Sequence, residues 1–471
     1  MTDLLDPASR NSAEQFLRHH FQGPLVGPDD TAYDEVRAVW NGMHDRRPRL
    51  IARCTSAADV SAALRYATAA GLAVTVRGGG HNVAGTAVAD DAVMIDLSLL
   101  NAVEVDPGAH LVRAQGGCLL RDVDAATLAH GLVCPSGVVA HTGLGGLTLG
   151  GGYGWLARKW GLTCDHLLAA EVVLADGTIV EATEDQHAEL LWGLRGGGGN
   201  LGIVTRFTLR LRPVGPVHYH TGVHPLADVP EALARYREFA VAQGPDLHAT
   251  AALKQAGAHS WIPERLRGRP ALFLTAVWFG DPADGPRHTA PLFSAAAPDA
   301  TDSRVLSYAQ LQALGDHGEP HGHRYFTKSC YLTDLTEGAV AQLADTAQEM
   351  PSALSSVDFE YLRGAIGDVP DAESAFPRRD APYICTVSAQ WADRADDEAN
   401  AAWSRQGTAR LAEWQYGGAY VNYLQDERPG RVAEVYGAAR YERLAALKRR
   451  YDPDNVLAGN QNIPPAAHPH A

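Results

Sequence analysis

At 471 residues the chain exceeds the usual length of one domain, and 46% hydrophobic against 20% charged residues is an ordinary globular balance, so two domains with sizeable cores are expected. Its 40 basic residues against 55 acidic ones leave a net charge of -15, which repels phosphate backbones and anionic lipid and excludes nucleic acid as a partner. Met1 to Arg10 lacks the basic start and apolar stretch of a leader, and no segment reaches the roughly 18 apolar residues of a membrane helix; the chain reads as soluble and cytoplasmic, with no membrane partner.

The first half alternates strand and helix signals. Leu50–Ala52 reads as a strand, Ala57–Ala70 as a helix, and Ala73–Arg77 and Val93–Leu97 as further strands. Glycine clusters then punctuate the chain at Gly78-Gly79-Gly80-His81, Gly143-Leu144-Gly145-Gly146, Gly150-Gly151-Gly152-Tyr153-Gly154 and Gly196-Gly197-Gly198-Gly199-Asn200. Glycine permits φ > 0 and lets backbone N–H groups converge on oxygen anions. One such cluster reads as a turn; four in succession point to a bound diphosphate. None is followed by Lys-Ser or Lys-Thr, so there is no Walker loop, and none opens a helix as G-x-G-x-x-G in a βαβ unit, which makes a Rossmann domain the weaker reading.

The glycine-rich character ends between Pro213 and Pro216, where a domain boundary is placed. Beyond it, amphipathic spacing predicts helices over Val229–Ala242, Ala339–Met350 and Asp396–Ala412. Val357–Leu362 reads as a strand whose alternation puts Asp358 and Glu360 on one side and Phe359 and Tyr361 on the other. A last helix is predicted over Arg431–Tyr451, with Arg and Lys at the end the helix dipole favours and a stop at Asp452-Pro453. Cys54, Cys118, Cys134, Cys164, Cys330 and Cys385 form no close pairs, so neither a disulfide framework nor a CxxC zinc site is expected. His321-Gly322-His323 has no second pair at ligand spacing, and no metal is expected.

The run Val74-Thr75-Val76-Arg77-Gly78-Gly79-Gly80-His81-Asn82 resembles the flavin-attachment loop of the vanillyl-alcohol-oxidase superfamily, in its berberine-bridge-enzyme-like branch. The resemblance continues through Asp96-Leu97-Ser98, Ala114 to Gly117, Gly137 to Gly154, Asp165-His166 and Leu194 to Gly202. It returns in Tyr420-Val421-Asn422-Tyr423, Tyr436-Gly437, Lys448, Tyr451 to Asn455 and Asn460 to Pro465, and is loose between about 216 and 410. It implies an α+β, two-domain FAD-binding fold of the PCMH/VAO type. Residues 1–215 would form the FAD-binding domain, 216–415 an inserted antiparallel-sheet substrate domain covered by helices, and 416–471 a segment returning to the first domain.

The resemblance also implies FAD bound covalently through His81, and a neutral imidazole is a competent nucleophile near pH 7. Many relatives add a cysteinyl link, but Val139 occupies that position here, so the attachment is expected through His81 only. Further cofactor contacts are implied for Arg77, Gly78, Gly79, Gly80, Asn82, Gln115, Gly116, Val139, Thr142, Gly143, Gly145, Gly146, Gly151, Gly152, Tyr153, Gly154, Gly202, Ile203, Val204, Tyr420, Asn422, Asn460 and Asn462, with Arg77 alternatively a loop brace. The catalytic candidates are Asp358 and Glu360 as proton acceptors, Tyr420 as a hydrogen-bonding phenol, and His141, which either steers a proton or braces its loop. The expected function is FAD-dependent oxidation of a small phenol or alcohol of secondary-metabolite or polyketide type, with O2 as acceptor, by a monomer or homodimer. The Ala140-His141-Thr142-Gly143 variant resembles enterocin-biosynthesis-type flavoenzymes, which leaves open an oxygenating flavin-N5-oxide reaction with an O2 pocket lined by Val139, Thr142 and Leu144. A third reading is a non-catalytic, drug-sequestering flavoprotein.

Overall fold

The computed structural model describes residues 7–294, 296–425, 427–459 and 461–467. A small sheet takes the order Leu25–Val26, Leu50–Arg53, Val93–Asp96, Val74–Arg77, its last three strands parallel. The helix Ala57–Ala69 packs on it through Val60, Ala63, Leu64 and Ala67, and Ser56 caps the helix by accepting from the Asp59 N–H. Next to it lies an antiparallel sheet ordered Val103–Asp106, Leu111–Gln115, Ile203–Arg210, Leu167–Val173, Ile179–Ala182. The glycine loops hang from the ends of these strands.

The chain then builds a seven-stranded antiparallel sheet in the order Ala300–Leu306, Val217–Pro225, Pro270–Trp278, Leu247–Gln255, Ser356–Tyr361, Tyr383–Trp391, Arg324–Leu332. One face is apolar: Leu253, Leu274, Phe359 and Val387 meet the helices Val229–Ala242, Glu337–Gln348 and Asp397–Arg410 in one core. Alternation leaves the other face to Thr250, Ser356, Asp358, Glu360, Thr386 and Ser388, which look across a cavity at the glycine loops. This is the two-domain α+β architecture the resemblance implies.

The final helix departs from its expected form. It is two helices, Arg431–Tyr436 and Ala438–Tyr451, broken at Gly437, whose φ of +76° no helix accommodates. The second buries Leu444, Leu447 and Tyr451 in the core of the first domain. Its Lys448 is fully buried, 2.6 Å from the equally buried Asp452, and donates as well to the carbonyls of Asn200 and Leu457. Asp452 accepts from the N–H groups of Val456 and Leu457, and Asn200 holds Ile463. This node seats the C-terminal segment on the glycine-loop side of the cavity.

Two further ion groups hold the domains together. Arg158 is 3% exposed and donates to the carbonyls of Leu247, Gln243 and Arg363, all in the other domain. Arg379 reaches back to Asp165 at 2.5 Å, both side chains almost wholly buried. Removing one partner of a buried pair leaves a desolvated charge behind, at about 3–5 kcal/mol. Lys448→Ala is expected to lose stability on that scale, read as a lower urea midpoint of the purified holoprotein, with part of the loss recovered in the Lys448→Ala, Asp452→Ala double variant.

Candidate active site

A cavity of about 680 Å³ lies between the glycine loops and the polar face of the seven-stranded sheet. Its first wall is backbone. Gly79 and Gly143 pack so closely that a Cβ on Gly79 would stand 2.5 Å from the Gly143 Cα, whereas one on Gly146 would meet only open space. Gly80, at φ +66°, turns the chain so that His81 faces inward. The Nε2 of His81 is buried without a hydrogen-bond partner. Such exposed peptide groups, with an unpartnered imidazole at one end, suit a dinucleotide whose phosphates need N–H donors. The residues present fit FAD.

The His81 ring is fixed by stacking. Trp40 lies on it at 4.2 Å between centroids and 14° between planes, and Tyr325 lies on the other face of Trp40 at 3.7 Å. His141 approaches the His81 ring to 4.9 Å and His321 approaches His141 to 4.9 Å. Burial, and then the two neighbouring histidines, push His81 down to about 3, which keeps its imidazole neutral.

The facing wall carries the titratable groups. Glu360 Oε2 accepts from the Tyr153 hydroxyl and lies 2.9 Å from His248 Nε2. Burial, then the Glu360 carboxylate, holds the Tyr153 phenol well above its ordinary range, so it stays a donor. Asp358 sits two residues back on the same strand face and accepts from Ser356 Oγ; burial pushes it up to about 6. Tyr420 accepts from the Gly152 N–H and from Asn422 Nδ2, which leaves its own proton to donate, and burial moves it up to about 12.

Most of the residues singled out from the sequence meet on this cavity: Gly78 to Asn82, Gly116, Val139, Thr142, Gly143, Gly145, Gly146, Tyr153, Gly202, Ile203, Val204, Asp358, Glu360, Tyr420 and Asn422. Others stand behind its wall. Arg77 donates to the Val36 carbonyl, so it braces the loop; Gln115 accepts from the Ala102 N–H. Gly151 and Gly152 pack against Phe376 and Thr163, and Gly154 against the Ser136 carbonyl, in a tight protein contact. His141 touches His81 but is not on the cavity surface, nor is Asn462, and Leu144 is buried in the domain core behind the cavity wall. His323 turns to Gln390, away from His321. Asn460 lies outside the described residues.

The sequence had given no sign of Trp40, His248, Lys254, Glu319 or Tyr325, all of which line the cavity. Each is a single polar or aromatic side chain in an unremarkable stretch; strand pairing brings in His248, Lys254 and Tyr325, whereas Trp40 and Glu319 stand on loops. Among the described residues no cysteine lines the cavity, and all six are buried.

The model of the FAD binding domain matches residues 48–183, and that described as berberine and berberine like matches 419–464. The (R)-6-hydroxynicotine oxidase of Paenarthrobacter nicotinovorans is 29% identical, over 94% of this chain and 97% of its own. The aclacinomycin-N/aclacinomycin-A oxidase of Streptomyces galilaeus is 29% identical over 92% and 88%. In fold, the chain matches the glucooligosaccharide oxidase of Acremonium strictum with a TM-score of 0.85 at 22% identity, over 97% of this chain and 100% of that one; its flavin is described as 6-S-cysteinyl, 8α-N1-histidyl FAD.

The raised Asp358 has a thermodynamic signature. An acid whose pKa is higher folded than unfolded opposes folding once pH exceeds the unfolded value, and the penalty is complete above the folded one. Asp358→Asn is therefore expected to raise the Tm of the holoprotein at pH 8, with a gain that shrinks as pH falls from 6 toward 4. Calorimetry across that range tests it; a gain independent of pH would show that Asp358 is ionised in the fold at no cost.

Proposed function

We propose that this chain, an FAD-linked oxidoreductase of the berberine-bridge-enzyme-like kind, oxidises a phenol or alcohol of secondary-metabolite type with O2 as acceptor, on FAD attached through His81 alone. The observation that carries the reading is Glu360: one carboxylate oxygen is held by Tyr153 and His248, and the other has no hydrogen bond from a described residue while the side chain faces the glycine-lined cavity. When bound, FAD would accept a hydride from the substrate, and its two electrons, with that hydrogen and the proton released from the hydroxyl, would reduce O2 to hydrogen peroxide.

The chain's own groups divide the remaining work. His81, neutral and fixed by Trp40, presents a lone pair for a bond to the flavin's 8α carbon. Val139 on the cavity wall, and the absence of cysteine from its described lining, support a single link. Glu360 accepts the proton of the substrate hydroxyl as electrons leave, while Tyr153 and His248 keep the carboxylate from rotating and share its charge. Tyr420 donates to the substrate oxygen, its ring placed by Gly152 and Asn422. The sheet above excludes water from these exchanges.

Acid precipitation is the first test. Yellow colour is expected to stay in the wild-type pellet and to pass into the supernatant for His81→Ala; release from the wild type would withdraw the covalent link. Glu360→Gln is expected to keep the pellet coloured while kcat for peroxide release from phenol and alcohol panels falls about 100- to 10,000-fold, the range for loss of a general base. Unchanged kcat would remove Glu360 from the mechanism.

A further inference from the structure

Among the described residues seven large hydrophobic side chains stay well exposed, and three of them, Val138, Leu314 and Leu354, border this one cavity. Two segments enter it with the same order of chemistry. One runs from Leu314 inward to Glu319, the other from Leu354 inward to Asp358, so each presents an aliphatic group outside and a carboxyl group within. The first segment is held in place: Gln312 bonds Asp124 and the Gly137 carbonyl, Asp316 accepts from the Ala140 N–H, and Trp40 donates to the Glu319 carbonyl.

The Glu319 carboxyl, on a half-buried residue of the cavity lining, has no hydrogen bond or ion pair with a described residue. Burial, and then the charge of Asp358, push it up to about 8. Lys254 acts on both carboxyls from a distance but forms no ion pair among the described residues; its ammonium lies 5.1 Å from the Phe273 ring. Glu360 is already occupied by Tyr153 and His248. Three carboxyl groups against one lysine leave the enclosure short of a cation, and a ligand bearing one relieves both the desolvation and the like-charge repulsion. A neutral ligand relieves neither, and an acid adds to them.

We propose that the phenolic or alcoholic substrate also carries an amine, its ammonium held between Glu319 and Asp358 and its apolar ring or chain leaving the cavity along Val138, Leu314 and Leu354. That the ligand is the substrate rests on the oxidoreductase reading above; the binding selectivity does not.

The test is isothermal titration of the anaerobic holoenzyme at pH 7.5 with 4-phenylbutylamine, 4-phenylbutanol and 4-phenylbutyrate, which share one skeleton. The amine is expected to bind at least about 10-fold more tightly than the alcohol, the scale of a charge-assisted hydrogen bond, and the acid most weakly. Glu319→Gln is expected to weaken the amine about 10-fold and leave the alcohol unchanged, with Glu319→Ala as a second variant and an unaltered Tm as the check on folding. Leu354→Ser is expected to weaken amine and alcohol alike. No measurable binding of the amine, an alcohol bound as tightly, or full amine preference in both Glu319 variants overturns the proposal. Phenolic or hydroxylated amines that bind selectively yet never bleach the flavin would count against the oxidoreductase reading and leave this one standing.

Discussion

The cavity exists because two separately packed sheets face each other, and the buried Arg158 guanidinium is one of the contacts that fixes their spacing. All three of its hydrogen bonds go to carbonyl oxygens of the opposite domain, and its Cζ lies 5.1 Å from the centroid of the Tyr361 ring, one residue beyond Glu360. Carbonyls turned toward a cation in this way cannot return to water without separating the domains. The Arg379–Asp165 pair acts alongside it. Geometry at the carboxylate wall therefore depends on a contact that touches no part of the chemistry.

Enclosure between the sheets also sets the charge state of the site. Burial is the largest influence on His81, Asp358, Glu319, Tyr153 and Tyr420, and each moves toward its neutral form. Beside them, Glu360 holds Tyr153 and His248 on one carboxylate oxygen. The site thus combines a lone pair ready to bond carbon, phenols that remain donors, and carboxyl groups whose ionisation responds to what enters.

What was legible in the sequence was whatever depends on local backbone rules. The glycine clusters stood out because only glycine permits the contact between Gly79 and Gly143, and strand alternation sorted Asp358 and Glu360 from Phe359 correctly. Long-range pairing stayed hidden. Cys330 and Cys385, distant in the chain, are direct partners across the Arg324–Leu332 and Tyr383–Trp391 strands. His248 reaches Glu360 only because Thr250 pairs with Glu360 across neighbouring strands. Glycine also serves packing: Gly151 and Gly152 lie close against Phe376 and Thr163, and Gly437 divides a helix that periodicity alone reads as continuous.

The buried Lys448–Asp452 node carries a consequence for the order of events in the cell. It seats Leu457, Gly459 and Gln461, which line the cavity within the last stretch of the chain, on loops translated long before. A nascent chain can fold the earlier strands as they emerge, yet the pocket still lacks that wall. Enclosure of the cavity therefore waits until residues 452–461 have been made, and a chain stopped before them can pair its sheets without completing that wall.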